Sequence, residues 1–374
     1  MNIVFTCGGT AGHINPAIAV ANEIMLRHPD ANILFIGATG HMEEKLVPQA
    51  GYAIKAFPAS GMSRKLSFSG IKKNVGAVKN VMSAVSGCKK IFKDFKPDVI
   101  VGTGGYASYP ALKAGKAMKI PICVHEANAM PGLTTKMAAK FADRVLVCFE
   151  ESVKHYKHPE RATVVGMPVR QEFIYSDKEA ARKALGLDER PLVLSTFGSQ
   201  GAKMMNLAMA DFMKLEQDNG FPYQHIHGVG SFGWGWMPDK LKEVGVDLEN
   251  ANGLDLREYI YDMPTCMAAA DVIISRAGAS SLNEIAATGT PCILIPSPNV
   301  TDNHQEKNAR AIERQGGAVV ILEKDCTAQL LYDTVAQLLS DEERYNAMST
   351  ALKASVMIDS ARRICQISEE LAKK

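Results

Sequence analysis

The stretch Gly8-Gly9-Thr10-Ala11-Gly12-His13 sets glycines, a hydroxyl and an imidazole close together. Glycine lets a backbone approach a ligand closely, and the N–H groups that open a helix favour an anion, often phosphate. A histidine in the same turn can move protons near neutral pH; helix capping or packing is its alternative use. A dinucleotide loop would read G-x-G-x-x-G with an acid about 20 residues later, and this order does not match.

Comparable stretches recur along the chain. Val101-Gly102-Thr103-Gly104-Gly105-Tyr106-Ala107-Ser108 could cradle a second anion, such as a diphosphate, or serve only tight strand–helix packing. His125-Glu126-Ala127-Asn128 gathers polar side chains, and the Asn128 carboxamide both donates and accepts, which suits a sugar edge. Ser199, in Gly198-Ser199-Gln200-Gly201, could bind phosphate, cap a helix, or do both. Ser275 to Glu284 forms another glycine and serine loop, in which Glu284 could close a capping box with Ser281 or hold two vicinal ribose hydroxyls. Asp302-Asn303-His304-Gln305 reads as a sugar-contacting loop or a solvated helix start.

Each stretch falls at the carboxyl end of an apolar run that reads as a strand. The runs are 2–6, 32–37, 53–57, 98–102, 121–125, 144–148 and 163–165, then 191–197, 223–228, 248–251, 256–260, 271–275, 291–295 and 317–321. Helical patterns lie near 16–28, 41–50, 71–95, 108–118, 132–141, 203–219, 264–269, 281–288, 303–315, 327–339 and 341–372. Strand–helix alternation means parallel sheets with crossover helices. The order occurs twice, so the expectation is an α/β protein of two doubly wound, Rossmann-like domains facing across a cleft. The expected limits are 1–166 and 167–355, with a helix at 356–374 packing back on the first domain. Ligands of open α/β sheets bind beyond the carboxyl ends of the strands, where all these stretches fall.

Bulk properties narrow the classes. A chain of 374 residues exceeds one ordinary core, and 47% hydrophobic residues is a globular composition. A net charge of +2 provides no global field for nucleic acid. The eight cysteines are scattered without a C-x-x-C pair and are expected to be buried free thiols in a reducing compartment. The start reads as a strand without a basic n-region, so no secretory leader is expected. No stretch approaches the ~20 uninterrupted apolar residues of a membrane span. There is no D-x-D, no H-E-x-x-H and no clustered metal-ligand spacing, so neither a metal nor another cofactor is expected. The absence of a G-x-S-x-G elbow and of a Walker A loop argues against α/β-hydrolase and P-loop chemistry.

Between Arg64 and Lys96 lie nine basic residues (64, 65, 72, 73, 79, 89, 90, 93 and 96) and one acid, Asp94. Ile71, Val75, Val78, Met82 and Val85 recur there at helical spacing. The segment is either a core-facing helix with a solvated basic side or a helix that touches anionic lipid.

The segments GGTAGH with Asn15-Pro16, GTGGYAS, HEANAMPG (125–132), GMPVR (166–170), GSQGA (198–202), RAGASSLNEIAATGTP (276–291) and TDNHQEKNA (301–309) add a family reading. In this order and spacing, and over essentially its whole length, the chain resembles glycosyltransferase family 28. Those enzymes add N-acetylglucosamine to the lipid-linked muramyl-pentapeptide of bacterial peptidoglycan. The family usually has Gly where Ala11 stands, often Asn where Met167 stands, and often a second Gly where Phe197 stands. Ala11 narrows its loop modestly, and Met167 removes a hydrogen-bonding group from the expected linker.

The resemblance implies a GT-B fold and an inverting transfer from UDP-N-acetylglucosamine to the 4-hydroxyl of undecaprenyl-diphosphate-linked muramyl-pentapeptide, converting lipid I to lipid II. It implies peripheral work at the cytoplasmic face of the cell membrane, with a cell-wall synthesis complex as a further partner. Motif by motif, it assigns donor contacts to Thr10, Ala11, Gly12, Asn128, Arg170, Ser199, Ile260, Ala279, Ser280, Ser281, Leu282, Asn283, Glu284 and Gln305. Arg170 and Ser199 would meet the phosphates, the Ile260 backbone the uracil, Glu284 the ribose and Gln305 the sugar hydroxyls. Gly104, Gly105, Tyr106 and Ser108 are candidates for the acceptor diphosphate, and His13 is the candidate base with His125 and Glu126 as rivals. Two other readings are a different GT-B activity on a sugar nucleotide, such as epimerisation, and a non-catalytic nucleotide-sugar or lipid-binding protein.

Overall fold

The computed structural model describes residues 1–58, 68–128, 130–300 and 303–373, and among these the side chains of 68–79 are not described. The chain divides into two units, Met1–Arg170 with Met357–Lys374, and Gln171–Val356. The first unit therefore runs past the limit expected at residue 166 and takes in the end of the chain.

In the first unit, β1 (Asn2–Cys7), β2 (Asn32–Ala38), β3 (Ala53–Phe57), β4 (Val99–Gly104), β5 (Ile122–Glu126), β6 (Arg144–Val147) and β7 (Ala162–Val164) form a sheet in the order β3-β2-β1-β4-β5-β6-β7. In the second, β8 (Leu192–Thr196), β9 (Gln224–Gly228), β10 (Leu254–Arg257), β11 (Val272–Ser275), β12 (Cys292–Leu294) and β13 (Ala318–Val320) take the order β10-β9-β8-β11-β12-β13. Every pairing is parallel. The strands are almost unbroken apolar runs because crossover helices cover both faces. Both orders reverse direction once, between β1 and β4 and between β8 and β11, and such switch points are where these sheets bind ligands.

The first unit carries α1 (Ala11–Arg27), α2 (Glu43–Gln49), α3 (Phe68–Phe95), α4 (Tyr109–Met118) and α5 (Leu133–Ala139). The second carries α6 (Gln171–Ile174), α7 (Lys178–Ala184), α8 (Lys203–Asp218), α9 (Met237–Glu243), α10 (Met263–Ala269), α11 (Ala279–Thr288), α12 (His304–Arg314), α13 (Ala328–Ser340) and α14 (Glu342–Ser355). Last comes α15 (Ser360–Ala372), which returns to the first unit.

Three expectations are corrected. The run at 248–251 is not a strand; Asp247 accepts from the Asn250 amide at 2.7 Å, and Gly253 follows at φ +99°, so turn chemistry prevails until β10 begins at Leu254. The helix expected over 341–372 is two helices. Val356 is extended (φ −104°, ψ 137°), and the chain passes there from one unit to the other. Met357 and Ser360 fill the space beside Gly166, whose φ is +76°. Finally, of the apolar stripe expected along α3, Val85 packs against the core beside the buried Ala84, Cys88 and Phe92, while Met82 is 69% exposed. Arg64 and Lys65, and the side chains of Ile71, Lys72, Lys73, Val75, Val78 and Lys79, lie outside the described residues. The eight cysteines are all unpaired. Among the described residues no helix is long and apolar enough to cross a membrane.

Helix α15 buries Ile364, Cys365 and Leu371 in the first unit's core beside Ile14, Ile18 and Ala21 of α1. Glu369 pins it there, accepting from Arg27 Nε (2.9 Å) and Nη2 (3.1 Å), His28 Nε2 (2.9 Å) and Cys365 Sγ (3.2 Å). Burial opposes ionisation of Glu369, but the bonds from Arg27, His28 and Cys365 outweigh it and bring the carboxyl from 4.5 down to about 2. A carboxyl depressed on folding stabilises the protein above its unfolded pKa and loses that contribution as pH falls through the folded one. Melting curves of the parent and Glu369→Ala should therefore separate by about 1 kcal/mol, after solvent screening, near neutral pH. They should draw together between pH 4.5 and about 2, and a constant separation across that range would remove the charge-based account.

Candidate active site

The first unit's site is built around the switch point of its sheet. A register shift between Thr6 and Cys7 sets Cys7 opposite Gly104, which brings the turn after β1 alongside the end of β4. Gly9 (φ +88°), Gly104 (φ +107°) and Gly105 (φ +81°) all adopt left-handed backbone there. A Cβ on Gly105 would lie 2.1 Å from the Gly8 carbonyl oxygen, and one on Gly104 would lie 2.8 Å from Cδ2 and 3.2 Å from Nε2 of His13. The two glycines are thus required by the passage of the β1 turn and the imidazole.

His13 lies in the first turn of α1, half-buried. Its Nδ1 is 3.2 Å from the Gly8 carbonyl oxygen and 3.3 Å from Thr10 Oγ1, and Thr103 Oγ1 donates to its carbonyl at 2.6 Å. A carbonyl only accepts, so Nδ1 carries the proton and Nε2 is the basic nitrogen. Burial holds the ring below its ordinary 6.5, against opposing contributions from Glu126, the Gly8 bond and Glu43. His13 is therefore neutral at pH 7, as a proton acceptor must be.

The rivals are differently employed. Glu126 is buried; Oε1 accepts from the Asn128 backbone N–H (3.0 Å) and side-chain amide (2.9 Å), and Oε2 accepts from Gly132 N–H (2.9 Å). It shapes the 126–132 loop and orients Asn128. His125 is buried on β5, with Nε2 at 3.0 Å from the Gly166 carbonyl oxygen, and burial lowers its pKa. Of the acceptor candidates, Ser108 is buried and donates to the Gly105 carbonyl at 2.7 Å, while Tyr106 Oη pairs with His41 Nε2 at 2.9 Å. Gly105 and Tyr106 stand at the start of a 3-10 turn leading into α4, where backbone N–H groups point out of the helix end.

Glu43 was not anticipated. It is fully buried and accepts from Gly9 N–H at 3.1 Å and Ala38 N–H at 2.9 Å, joining the ends of β1 and β2 beneath the turn that precedes α1. The available signal was an acid opening a helix just after β2, where negative charge suits the helix dipole.

The second unit repeats the plan. Gly198 (φ +88°) and Gly201 (φ +78°) bracket Ser199, which is half-buried at the entry to α8. The N-cap of α8 is Ala202, with no side-chain cap bond, so Ser199 is not its cap. Likewise α11 begins at Ala279 after Gly278 with no side-chain cap, so the Ser281–Glu284 capping box is not formed. Ser280 and Ser281 lie half-buried in its first turn, Leu282 turns into the core, and the Asn283 amide donates to the Ala279 carbonyl at 2.8 Å. The Ile260 side chain is buried against Gly228, which leaves its main chain for any recognition. Gln305 Oε1 accepts from Ser297 N–H at 3.0 Å, and Arg276 reaches the Ile295 carbonyl and Glu323, bracing the loop after β12. Arg170 is half-buried at the last position of the first unit's N-terminal segment, and Asp302 lies outside the described residues. Among the described residues no group of three His, Cys, Asp or Glu side chains could hold a metal ion.

Two doubly wound units, each with glycine-rich turns at its switch point, define a GT-B protein, the architecture of nucleotide-sugar enzymes. Residues 3–147 match the glycosyltransferase family 28 N-terminal domain and residues 192–364 its C-terminal domain. The chain belongs to glycosyltransferase family 28. A relative from Acetivibrio thermocellus is 41% identical over 374 residues, covering 100% of this chain and 99% of the relative. Another from Caldanaerobacter subterraneus subsp. tengcongensis is 41% identical over 371 residues, covering 98% and 99%. Both are named UDP-N-acetylglucosamine--N-acetylmuramyl-(pentapeptide) pyrophosphoryl-undecaprenol N-acetylglucosamine transferase. The crystal structure of Acinetobacter baumannii MurG matches with a TM-score of 0.68 at 22% identity, over 99% of each chain. A UDP-GlcNAc 2-epimerase from Neisseria meningitidis bound to UDP-GlcNAc matches at 0.67 and 15% identity, over 99% of this chain and 100% of that one. These structural likenesses speak to the fold.

Proposed function

We propose that the protein transfers N-acetylglucosamine, with inversion, from UDP-N-acetylglucosamine to the 4-hydroxyl of undecaprenyl-diphosphate-linked muramyl-pentapeptide, converting lipid I to lipid II. The observation that carries this reading is the end-to-end identity of 41% with relatives named for that transfer. The acceptor oxygen attacks the anomeric carbon opposite UDP, its proton passes to His13 Nε2, and UDP departs with the electrons of the broken C–O bond. His125 and Glu126 are left to architecture.

Most donor contacts come from the second unit. Backbone N–H groups opening α8 and α11, the hydroxyls of Ser199, Ser280 and Ser281, and Arg170 receive the diphosphate, whose charge grows as it leaves. Glu284 takes the ribose hydroxyls, the Ile260 main chain the uracil and Gln305 the sugar; Thr10, Ala11, Gly12 and Asn128 complete the contacts from the first unit. The acceptor diphosphate meets the backbone at Gly104, Gly105 and Tyr106, since the Ser108 hydroxyl serves its own loop. A peripheral position on the cytoplasmic face of the membrane suits a lipid-anchored acceptor. The exposed Met82 on a helix bearing Lys89, Lys90 and Lys93 supports it, and a cell-wall synthesis complex is a further partner there.

The test is incubation with UDP-N-acetylglucosamine and a lipid I analogue. Disaccharide product supports the reading; a new sugar formed from the donor alone would replace it with epimerisation. Glu284→Ala should raise the donor KM roughly 10–100-fold, the loss of hydrogen bonds to a charged group, with kcat little changed. An unaltered donor KM would remove Glu284 from the ribose.

A further inference from the structure

Beneath the donor-side turns runs a chain of four buried polar side chains that the transfer does not use. Glu216 Oε2 on α8 is 2.9 Å from His225 Nδ1 on β9, His225 Nε2 is 2.7 Å from Ser195 Oγ on β8, and Ser195 Oγ is 2.7 Å from His227 Nδ1 on β9. All four residues are at most 1% exposed. Acid, imidazole and hydroxyl stand in the order of a nucleophilic triad, but no substrate reaches Ser195.

The bonds have a consistent direction. With Glu216 accepting from His225 Nδ1, His225 Nε2 is a lone pair that accepts the Ser195 hydroxyl proton. Ser195 Oγ then accepts from His227 Nδ1. His227 Nε2 has no partner among the described residues, and burial, then His225, brings the ring down to about 3, so that nitrogen is a bare lone pair. Its two ends, His227 Nε2 and Glu216 Oε1, have no partner among the described residues, but its middle is a double tie between strands, Ser195 Oγ on β8 held at 2.7 Å by both His225 and His227 on β9.

Its position gives that tie a use. One residue beyond the network, β8 and β9 leave the sheet as the turns 197–201 and 229–230. A Cβ on Gly201 would sit 2.1 Å from the Val229 carbonyl oxygen, and one on Gly230 would sit 2.1 Å from Gly201 N. The two turns interlock without slack, and the Ser199 and Gln200 carbonyls accept from Ser231 N–H (3.4 Å) and Phe232 N–H (3.1 Å). Any slip of β8 against β9 therefore moves the Ser199 turn.

We propose that Glu216, His225, Ser195 and His227 are positioning residues that lock β8 to β9 and so hold the Ser199 turn in the geometry that receives the donor diphosphate. This rests on the donor reading above and deepens it.

UDP binding by the full chain tests it, measured calorimetrically alongside thermal melts. Ser195→Ala should weaken UDP binding about tenfold, the equivalent of one buried hydrogen bond, and raise the donor KM while leaving the acceptor KM unchanged. Ser195→Thr, which keeps the hydroxyl, should restore most of the affinity. Leu338→Ala, a cavity in the same core on α13, should lower the melting temperature yet bind UDP like the parent. Should Ser195→Ala fail to fold, Ser195→Cys, close in shape but a weaker partner, must still weaken UDP. Parental UDP affinity in folded Ser195→Ala or Ser195→Cys, or equal weakening by Leu338→Ala, overturns the positioning role. A parent protein that does not bind UDP instead overturns the donor reading, and this inference with it.

Discussion

His13→Ala is expected to lower kcat by about 10²–10⁴, the usual contribution of a positioned general base, while UDP affinity stays near that of the parent. The imidazole has one nitrogen committed to the Gly8 carbonyl and the other turned against Gly104. Truncation removes the proton acceptor and leaves Ser199, Ile260, Ser280, Ser281 and Glu284, proposed above for the UDP moiety, unchanged. The pH profile carries the same signature. Because burial keeps His13 neutral below its ordinary 6.5, kcat/KM should hold level through neutrality and fall only as acid protonates Nε2. An unchanged turnover number in His13→Ala, or an acid limb still present in it, would move the base elsewhere.

The second large effect is on stability. Glu43→Ala is expected to cost about 2–6 kcal/mol, since the N–H groups of Gly9 and Ala38 each lose a buried acceptor at about 1–3 kcal/mol. The Glu43 side chain fills the space beside both glycines; a Cβ at Gly8 would lie 2.2 Å from its Oε1, and one at Gly37 2.6 Å from its Cγ. Glu43→Gln should fall between, as a carboxamide can accept from one N–H but turns its own amide toward the other. Denaturant unfolding of the three proteins reads this directly. A Glu43→Ala variant as stable as the parent would mean that the β1 turn relaxes freely, contrary to its glycine-locked geometry.

Most strands could be read from the chain because parallel strands covered on both faces are plain apolar runs, as in Ile3-Val4-Phe5 or Val99-Ile100-Val101. The site's turns were readable because glycine followed by a hydroxyl or imidazole at a strand end is local chemistry. What stayed hidden depends on contacts distant in sequence. Nothing local tells that Glu126 is consumed by Asn128 and Gly132, that His125 is sealed behind Gly166, or that Ser281 falls inside α11 and not at its cap. Glu216, His225 and Ser195 look unremarkable until α8, β8 and β9 are packed. The stop at Ser355 likewise lacks a proline or glycine; the core of the other unit draws the following helix away.

That withdrawal has a consequence for biosynthesis. The segment that seals the groove beside α1 emerges from the ribosome only after Gln171–Val356 has been made. At about 5–20 residues per second, the nascent first lobe waits for roughly ten to forty seconds with apolar surface uncovered, and its need for a chaperone is greatest in that interval.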